Sequence, residues 1–429
     1  MSETSAVLSD DPRSGATPAP GFNGYRSTVA ATILGIFTMM SVGAYAVLIV
    51  TATVRTHTDF AALGGAAAVE TVCIFLGAII GSRVYGRVSF RILFAFGVVV
   101  VMAYILLYGF ATELWMLYVV EVFLGLVLGI CAFNGISAFV AAWFIDRRER
   151  VVGVALGVVG FGTAVGSILL TVLTGIFGQP AAVIVVAALG LPALLALIWV
   201  RTPDGVTQKA LGSDKVIEEV TSPDEARRAG RRSLMSVSFV VMLLAALGLG
   251  FVQFLGIFIA PIMQGGGLPD PTLAGALVSV SLAANSICCI VLGFVAQRFG
   301  IRTYAIVGYI IAVVAVVAFL LWIPLGSNVV FAFVIAFLIG SGVGLATTYS
   351  ATLVTDIFGV ASFNAVMPII AGTTFVGYGV AVGALPSLVG ADGSWDTVLI
   401  IVFVAVVLSA VLTTVGFFAS PVRRGKVAV

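Results

Sequence analysis

Most of this chain is apolar, and the few polar side chains that could do chemistry lie inside long apolar stretches. Two of them are acids, Glu70 and Glu121. A carboxyl group held away from water can bind and release a proton, so both residues are candidate proton-coupling groups. The alternatives are a carboxyl group that faces a water-filled vestibule and one that hydrogen-bonds to a neighbouring helix.

A second set of candidates consists of amides and phenols near the middle of apolar stretches. These groups can bind a carboxylate or a hydroxyl without carrying a formal charge. Each one alone could instead form a hydrogen bond between helices, worth about 0.6 kcal/mol on average. Taken together they predict a polar substrate pocket formed by Tyr45, Asn134, Gln253, Asn285, Tyr349 and Tyr378.

The sequence has no cluster with the spacing of a catalytic or metal-binding site. Its only histidine, His57, stands apart from the four cysteines, which all fall in apolar stretches. No phosphate-binding loop, nucleotide-binding motif or catalytic triad is present. We therefore expect neither an enzyme nor a protein with a metal or other cofactor, and the net charge of +2 gives no reason to expect a nucleic-acid partner.

Composition identifies the solvent in which these residues fold. Of the 429 residues, 61% are hydrophobic and only 9% are charged, and the mean hydropathy is +1.21. Soluble domains carry about 25% charged residues. A chain this apolar needs lipid around most of its length, so the lipid bilayer is its first expected partner.

Runs of about 20 apolar residues predict twelve membrane-spanning helices. A polar segment divides them into six plus six, so we expect an all-α membrane protein with two six-helix halves. The polar N-terminal segment lacks the features of a cleaved signal sequence, so the first span should be retained. The expected regions are a tail at 1–27, an N-terminal half at 28–200, a linker at 201–234, a C-terminal half at 235–420 and a tail at 421–429.

The basic residues predict how the chain lies in the membrane. With both termini in the cytoplasm, all but one of the 21 Lys and Arg residues fall on the cytoplasmic side, and the exception is Arg55. This distribution satisfies the positive-inside rule. We expect a multi-pass protein of the inner (plasma) membrane with both ends in the cytoplasm, and one that functions as a monomer.

The two halves resemble each other in sequence. The fourth and tenth spans both contain Gly-x-x-x-Gly, at Gly125/Gly129 and Gly340/Gly344, and the fifth and eleventh spans are rich in spaced glycines. Small residues at this spacing let helix backbones approach closely. Each glycine alone indicates only packing, whereas the repeated arrangement predicts two similar halves around a central site, a plan that transporters use.

Short loops after the second and eighth spans resemble a motif of the major facilitator superfamily, Gly-x-x-x-Asp-Arg-x-Gly-Arg-Lys/Arg. In the better copy, "GFVAQRFGIR", Arg298 and Arg302 match, while Gln297 replaces the Asp; the other copy, "GSRVYGRVSFR", keeps Arg87. The resemblance implies a cytoplasmic gate, whose missing carboxylate would have to come from another acid nearby. The implied gate residues are Arg87, Asp146, Arg147, Arg298 and Arg302.

Two further stretches resemble the oxalate/formate antiporter and monocarboxylate transporter group of that superfamily. They are "AAWFIDRRERVVGVALGVVGFGTAVGSIL" at 141–169 and "VTDIFGVASFNAVM" at 354–367. The resemblance implies small carboxylate substrates held by basic residues in the eighth and eleventh spans. Here Cys289 stands where the group has Arg, and Tyr378 stands where the antiporters have Lys. The chain keeps the scaffold of a carboxylate carrier and lacks its cations.

These features together predict a secondary transporter, an antiporter or a symporter, that works by alternating access. The expected substrate is a monocarboxylate or related organic acid, held by neutral hydrogen bonds or carried as the protonated acid, with the proton as the candidate coupling ion. The alternative is an exporter of a neutral or apolar small molecule, as in drug efflux. A non-transporting membrane sensor built on the same scaffold is the remaining hypothesis.

Overall fold

The computed structural model is helical almost throughout the part of the chain that it describes. Within that part, twelve helices are long and apolar enough to cross a membrane. This number confirms the all-α membrane fold with twelve spans. The described residues are 20–58, 60–85, 87–144, 148–201, 223–265, 273–322, 328–359, 362–389 and 394–422.

The first six spans form the N-terminal half. The first helix begins at residue 20, earlier than the expected start of this half at residue 28. Two spans contain a break, and we keep one number for each. Span 1 is Pro20–Thr56, span 2 Phe60–Val84, span 3 Phe90–Phe110, span 4 Leu114–Cys131 with Phe133–Trp143, span 5 Arg148–Phe177, and span 6 Gln179–Ala188 with Gly190–Leu194 and the 3-10 turn Leu195–Ile198.

The last six spans form the C-terminal half. A linker helix, Pro223–Leu234, precedes them inside the predicted linker, and the hydroxyl of its Ser233 lies 2.8 Å from that of Ser362, just before span 11. Glycines with positive φ, Gly300 and Gly359, follow spans 8 and 10. Span 7 is Val237–Gly265, span 8 Leu273–Phe299, span 9 Ile301–Trp322, span 10 Val329–Phe358, span 11 Phe363–Ala384 with the 3-10 turn Leu385–Leu388, and span 12 Asp396–Phe418.

Glycines hold together the same pair of helices in each half. A Cβ atom on Gly129 of span 4 would lie 2.2 Å from the carbonyl oxygen of Ile74 in span 2. In the other half, a Cβ atom on Gly340 of span 10 would lie 1.9 Å from the carbonyl oxygen of Ser281 in span 8. Only glycine permits such backbone contact, so both Gly-x-x-x-Gly pairs are packing sites that repeat between the halves.

Spans 2, 5, 8 and 11 join the two halves. A Cβ atom on Gly153 of span 5 would lie 2.8 Å from the Cα atom of Gly293 in span 8. A Cβ atom on Gly379 of span 11 would lie 2.0 Å from the hydroxyl oxygen of Thr71 in span 2. The interface between the halves is therefore built from close helix pairs, one on each side of the molecule's centre.

The halves are closed against each other on one side of the membrane domain. We call the side that carries the linker helix the linker side. Gly153 and Gly293 lie toward that side. On the opposite side, no atom lies within 4 Å of a Cβ placed on Gly175 of span 5 or Gly383 of span 11. The contact between Gly153 and Gly293 closes the halves against each other on the linker side, within the part of the chain that the structure describes.

Candidate substrate pocket and acidic cluster

Span 4 is broken in the middle of the membrane domain. Ala132 has φ −76° and ψ −113°, so the helix stops at Cys131 and restarts at Phe133. A break leaves backbone carbonyl groups without their usual helical partners. Side chains fill this gap: the Asn134 amide nitrogen donates to the Gly129 carbonyl at 3.0 Å, and the Tyr85 hydroxyl donates to the Ile130 carbonyl at 2.6 Å.

A small polar cavity lies beside the break, between the two halves. The space that the centre of a water molecule can occupy in it is about 20 Å³. Two of the predicted pocket residues, Asn134 and Gln253, meet here from opposite halves. The lining residues are Asn134, Ser137, Gln253, Ala346, Thr347, Ser350, Ala371, Thr374 and Phe375.

Asn285 of span 8 lies next to the cavity rather than in its lining. Its amide oxygen is 3.4 Å from the hydroxyl of Thr347, a lining residue, and 3.5 Å from the sulfur of Cys289. Cys289 is 1% exposed, and its sulfur lies 3.7 Å from the Gly344 carbonyl of span 10. The position where the resemblance implies an arginine is therefore packed between spans 8 and 10.

The two acids belong to a separate cluster in the N-terminal half. Glu121 of span 4 is fully buried, and its Oε1 atom accepts a hydrogen bond of 3.3 Å from the hydroxyl of Tyr104 in span 3. Its Oε2 atom is buried without a hydrogen-bond partner. Glu70 of span 2 is half-buried and interacts electrostatically with Glu121. The structure therefore brings both predicted proton-coupling residues together.

Tyrosines from both halves surround this acidic cluster. The ring of Tyr45 meets that of Tyr108 edge-on, with 5.8 Å between centroids. Tyr378 of span 11 is close enough to Glu70 and Glu121 to interact electrostatically. It lies one helical turn from the cavity residue Thr374, toward the opposite side. The structure therefore places Tyr45 and Tyr378, predicted for the pocket, beside the acids.

Tyr349 is not brought to the cavity or to the acids. It is fully buried inside the C-terminal half, where its hydroxyl lies 2.7 Å from the hydroxyl of Thr413 and 3.4 Å from the sulfur of Met242. The Thr413 hydroxyl is also 2.7 Å from that of Tyr309. These contacts describe a polar network that links spans 7, 9, 10 and 12, so Tyr349 has a structural environment.

Comparison with known proteins identifies the fold's family. The model of the Major Facilitator Superfamily matches residues 31–367 and, in a second match, residues 269–428. The chain belongs to the major facilitator superfamily. Membership supports a secondary transporter that carries a small-molecule substrate, and indicates a transporter rather than an enzyme. The match does not separate the subgroups, so the likeness to the oxalate/formate and monocarboxylate carriers stays a prediction.

A solved structure of a nucleoside transporter has a similar fold. The transporter is similar to a mutant of the nucleoside transporter NupG, with a TM-score of 0.61 and 14% sequence identity, covering 91% of this chain and 99% of that chain. At this identity the similarity concerns the fold alone. Among curated proteins, none matches the transporter's sequence.

The residues predicted for the gate lie on the linker side as far as they are described. Arg87, Arg298 and Arg302 are exposed there, whereas Asp146 and Arg147 fall outside the described residues. No hydrogen bond or ion pair between the halves is shown for the three described arginines.

A basic residue outside the predicted gate makes a contact across the halves. The guanidinium group of Arg150 in span 5 lies over the ring of Phe294 in span 8, 4.3 Å from its centroid. Cation–π contacts of this kind contribute about 0.5–1 kcal/mol at exposed sites. This contact adds to the glycine packing that closes the linker side.

Sequence reasoning missed several residues of the transporter's site. In span 10 it selected Tyr349 from the run "ATTYS", whereas Thr347 and Ser350 line the cavity. Successive helical residues point in different directions, and only the packing decides which ones face the centre. The run of hydroxyl side chains was the feature of the sequence that pointed to this part of span 10. No feature of the sequence pointed to Tyr104, because one tyrosine in an apolar span does not reveal its hydrogen-bond partner.

Proposed function

We propose that this superfamily member moves a small organic solute that is uncharged while bound, by alternating access of a central site. The leading substrate class is a monocarboxylic or related organic acid that travels with its proton. Coupling could take the form of symport with the proton or exchange of one acid for another. Both forms use the same cavity between the halves.

The observation that carries this proposal is the chemistry of the cavity. Amides and hydroxyls supply its polar groups, and none of the described lining residues carries a charge. An anion that leaves water needs a fixed cation to offset its lost solvation. A neutral acid needs only hydrogen bonds, which Asn134, Gln253 and Thr347 can supply.

The acidic cluster supports the proton part of the proposal. Glu121 has a buried oxygen without a partner, and Glu70 lies near it. Tyr378 joins this cluster to span 11, the helix that also lines the cavity through Thr374. Proton binding at the acids and solute binding in the cavity therefore involve one shared helix.

Two other solute classes suit an uncharged cavity. A neutral polar solute is favoured by the fold shared with a nucleoside transporter. An apolar solute, exported as in drug efflux, was the alternative from the sequence, and the polar lining of the cavity does not favour it. The described residues show no feature that supports the sensor hypothesis.

Exchange in proteoliposomes tests the proposed function. The purified transporter is reconstituted, and counterflow is measured with labelled monocarboxylates, dicarboxylates and neutral polar compounds, with and without a pH gradient. We expect exchange of monocarboxylates that increases as the protonated fraction rises, and accumulation driven by the pH gradient. Exchange of neutral compounds alone would replace the acid with a neutral polar solute. Absence of exchange for the whole panel would overturn the transporter's proposed substrate class.

The orientation and oligomeric state are part of the proposal. The distribution of basic residues supports a cytoplasmic location for the linker side, according to the positive-inside rule. We propose a monomer in the plasma membrane with both termini on that side. This orientation can be tested with a cysteine introduced near His57, between spans 1 and 2, and an impermeant labelling reagent applied to intact cells. The cysteine should be labelled, because His57 lies on the side opposite to the linker side.

A further inference from the structure

The break in span 4 fixes the orientation of one amide in the cavity. The Asn134 side chain is 2% exposed, and its nitrogen lies 3.0 Å from the Gly129 carbonyl oxygen. A carbonyl oxygen only accepts hydrogen bonds, so the atom that faces it must be the NH₂ group and not the amide oxygen. The Oδ1 atom of this planar group therefore points away from Gly129.

The surroundings prevent the amide from turning over. If it rotated by half a turn, Oδ1 would face the Gly129 carbonyl, and two acceptors would meet in a buried place. The neighbouring carbonyl of Ile130 is also only an acceptor, and it already accepts from the Tyr85 hydroxyl at 2.6 Å. The backbone is closely packed at this point, since a Cβ atom on Gly135 would lie 2.6 Å from the Ile130 carbonyl oxygen.

We infer that Asn134 is a specificity-determining residue, whose fixed Oδ1 atom faces the cavity that this residue lines and selects solutes that present a hydrogen-bond donor. This inference rests on the proposed function and narrows its substrate class. A protonated carboxylic acid has an O–H group to donate, and a primary amide has N–H groups. A carboxylate ion has only acceptors, as do an ester and a tertiary amide.

The remaining contacts in the cavity do not change this requirement. Gln253 has no hydrogen-bond partner shown among the described residues, so its amide can turn to present either end. The Ser350 hydroxyl can donate or accept in the same way. The Thr347 hydroxyl donates to the Val343 carbonyl at 3.0 Å, so toward the cavity it acts as an acceptor. Asn134 is the lining amide whose orientation is set by a backbone carbonyl, and with Thr347 it imposes the sign of the hydrogen bond.

The expected difference in binding follows from the cost of placing an acceptor of the solute against the Oδ1 acceptor of Asn134. A buried polar group left without its hydrogen bond weakens binding by about tenfold to a hundredfold, and sites built around such a bond reject analogues that lack it more strongly. We expect a donor-bearing solute to bind at least about tenfold more tightly than its acceptor-only analogue.

Three matched probes test the inference on the purified transporter. They are propionic acid, propanamide and N,N-dimethylpropanamide, and binding is measured as thermal stabilisation and as inhibition of counterflow. Propionic acid is compared at pH values below and above its own pKa. We expect binding of propanamide and of the protonated acid, and at least about tenfold weaker binding of the propionate ion and the dimethyl amide.

Two variants connect the selectivity to Asn134. Asn134→Leu removes the acceptor, so its discrimination between propanamide and the dimethyl amide should disappear. Asn134→Asp keeps the shape, and its carboxylate should still favour donors if the variant folds. Tyr85→Phe is the control, because it removes the hydrogen bond to the Ile130 carbonyl of span 4 and does not change a residue that lines the cavity. This variant should have a lower melting temperature and unchanged selectivity.

The outcomes separate this inference from the proposed function. Equal binding of the propionate ion and the protonated acid would contradict both the role of Asn134 and the uncharged solute of the proposed function. Equal binding of the two amides would overturn the role of Asn134 while leaving the transporter's solute class intact. Preserved selectivity in a folded Asn134→Leu variant would do the same. If no probe bound and the exchange panel also gave no signal, the substrate class itself would be wrong, and the inference would fail with it.

Discussion

Buried polar side chains in this transporter differ in whether their hydrogen-bonding capacity is used. The Tyr349 hydroxyl has a close partner in Thr413 within the C-terminal half. Glu121, equally buried, has one carboxyl oxygen without a partner. Buried groups without partners are costly, and they are expected where function requires them. The contacts therefore give Tyr349 a structural environment, and we propose Glu121 as the proton-binding residue.

Replacing Glu121 should separate proton coupling from solute exchange. In Glu121→Gln the amide oxygen can still accept from Tyr104, but the side chain can no longer bind a proton. We expect counterflow to persist within about threefold of wild type, because exchange does not need net proton movement, and accumulation driven by a pH gradient to be lost. Glu113→Gln is the control, since Glu113 is exposed and makes no capping hydrogen bond. Accumulation at wild-type level would exclude Glu121 as the coupling group.

Replacing Tyr349 should affect stability and leave transport unchanged. Tyr349→Phe removes a buried hydroxyl whose partner is 2.7 Å away, and a hydrogen bond of this kind contributes about 1 kcal/mol. We expect a lower melting temperature in detergent and an unchanged KM for counterflow. Tyr25→Phe is the matched control, because Tyr25 is exposed. A change in KM with no loss of stability would return Tyr349 to the list of substrate-binding candidates.

The sequence predicted the types of residue in the site better than their grouping. Asn134 and Gln253 were both expected in the pocket, and both line the cavity. Tyr45 and Tyr378 were expected there too, yet they lie with the acids. Depth in the membrane can be counted along a span, whereas the direction in which a side chain points depends on helix rotation and crossing. These are set by tertiary packing, which a single sequence does not display.

Helices in this fold approach each other through glycine, which replaces the hydrophobic drive that lipid removes. The same two helix pairs, spans 2 and 4 and spans 8 and 10, use a Gly-x-x-x-Gly motif in each half. Number, order and approximate length of the spans followed from hydropathy alone. The break at Ala132 did not, because an apolar run reads the same whether its helix is continuous or interrupted.

A single methyl group should test this packing. Gly340→Ala would place a Cβ atom 1.9 Å from the Ser281 carbonyl oxygen, a backbone atom that cannot move alone. Overpacking of this kind costs about 1–3 kcal/mol, so we expect a lower melting temperature and reduced yield of folded protein. In Gly383→Ala no atom lies within 4 Å of the new Cβ, and stability should be unchanged or slightly higher. Equal stability of the two variants would contradict the packing described for span 10.

At the scale of the whole molecule, the described interface between the halves holds the linker side shut. Glycine contacts between spans 5 and 8 form one part of this closure, and the stacking of Arg150 on Phe294 forms another. The superfamily motif that the sequence resembles uses a carboxylate at this place, and Gln297 stands there instead. The aromatic contact does not depend on that carboxylate.

Loss of the aromatic ring should shift the conformational balance. Phe294→Leu removes a cation–π contact worth about 0.5–1 kcal/mol, which corresponds to an increase of about two- to fivefold in molecules open on the linker side. Spin labels attached after Arg91→Cys and Met235→Cys would report this as a larger population of long distances. The four native cysteines are buried and leave a low labelling background. Phe299→Leu is the control, because Arg298 stacks on Phe299 within one span. An unchanged distance distribution would show that the contact does not hold the halves.

The break in span 4 has no counterpart in span 10, which runs without interruption from Val329 to Phe358. The two halves therefore share one arrangement of helices, but one half presents a broken helix to the solute and the other presents a continuous one. A carrier built from identical halves would handle its two directions alike. Here the solute meets a broken helix on one half and a continuous helix on the other, so we expect the affinities on the two faces of the membrane, and the rates of loading from each, to be unequal.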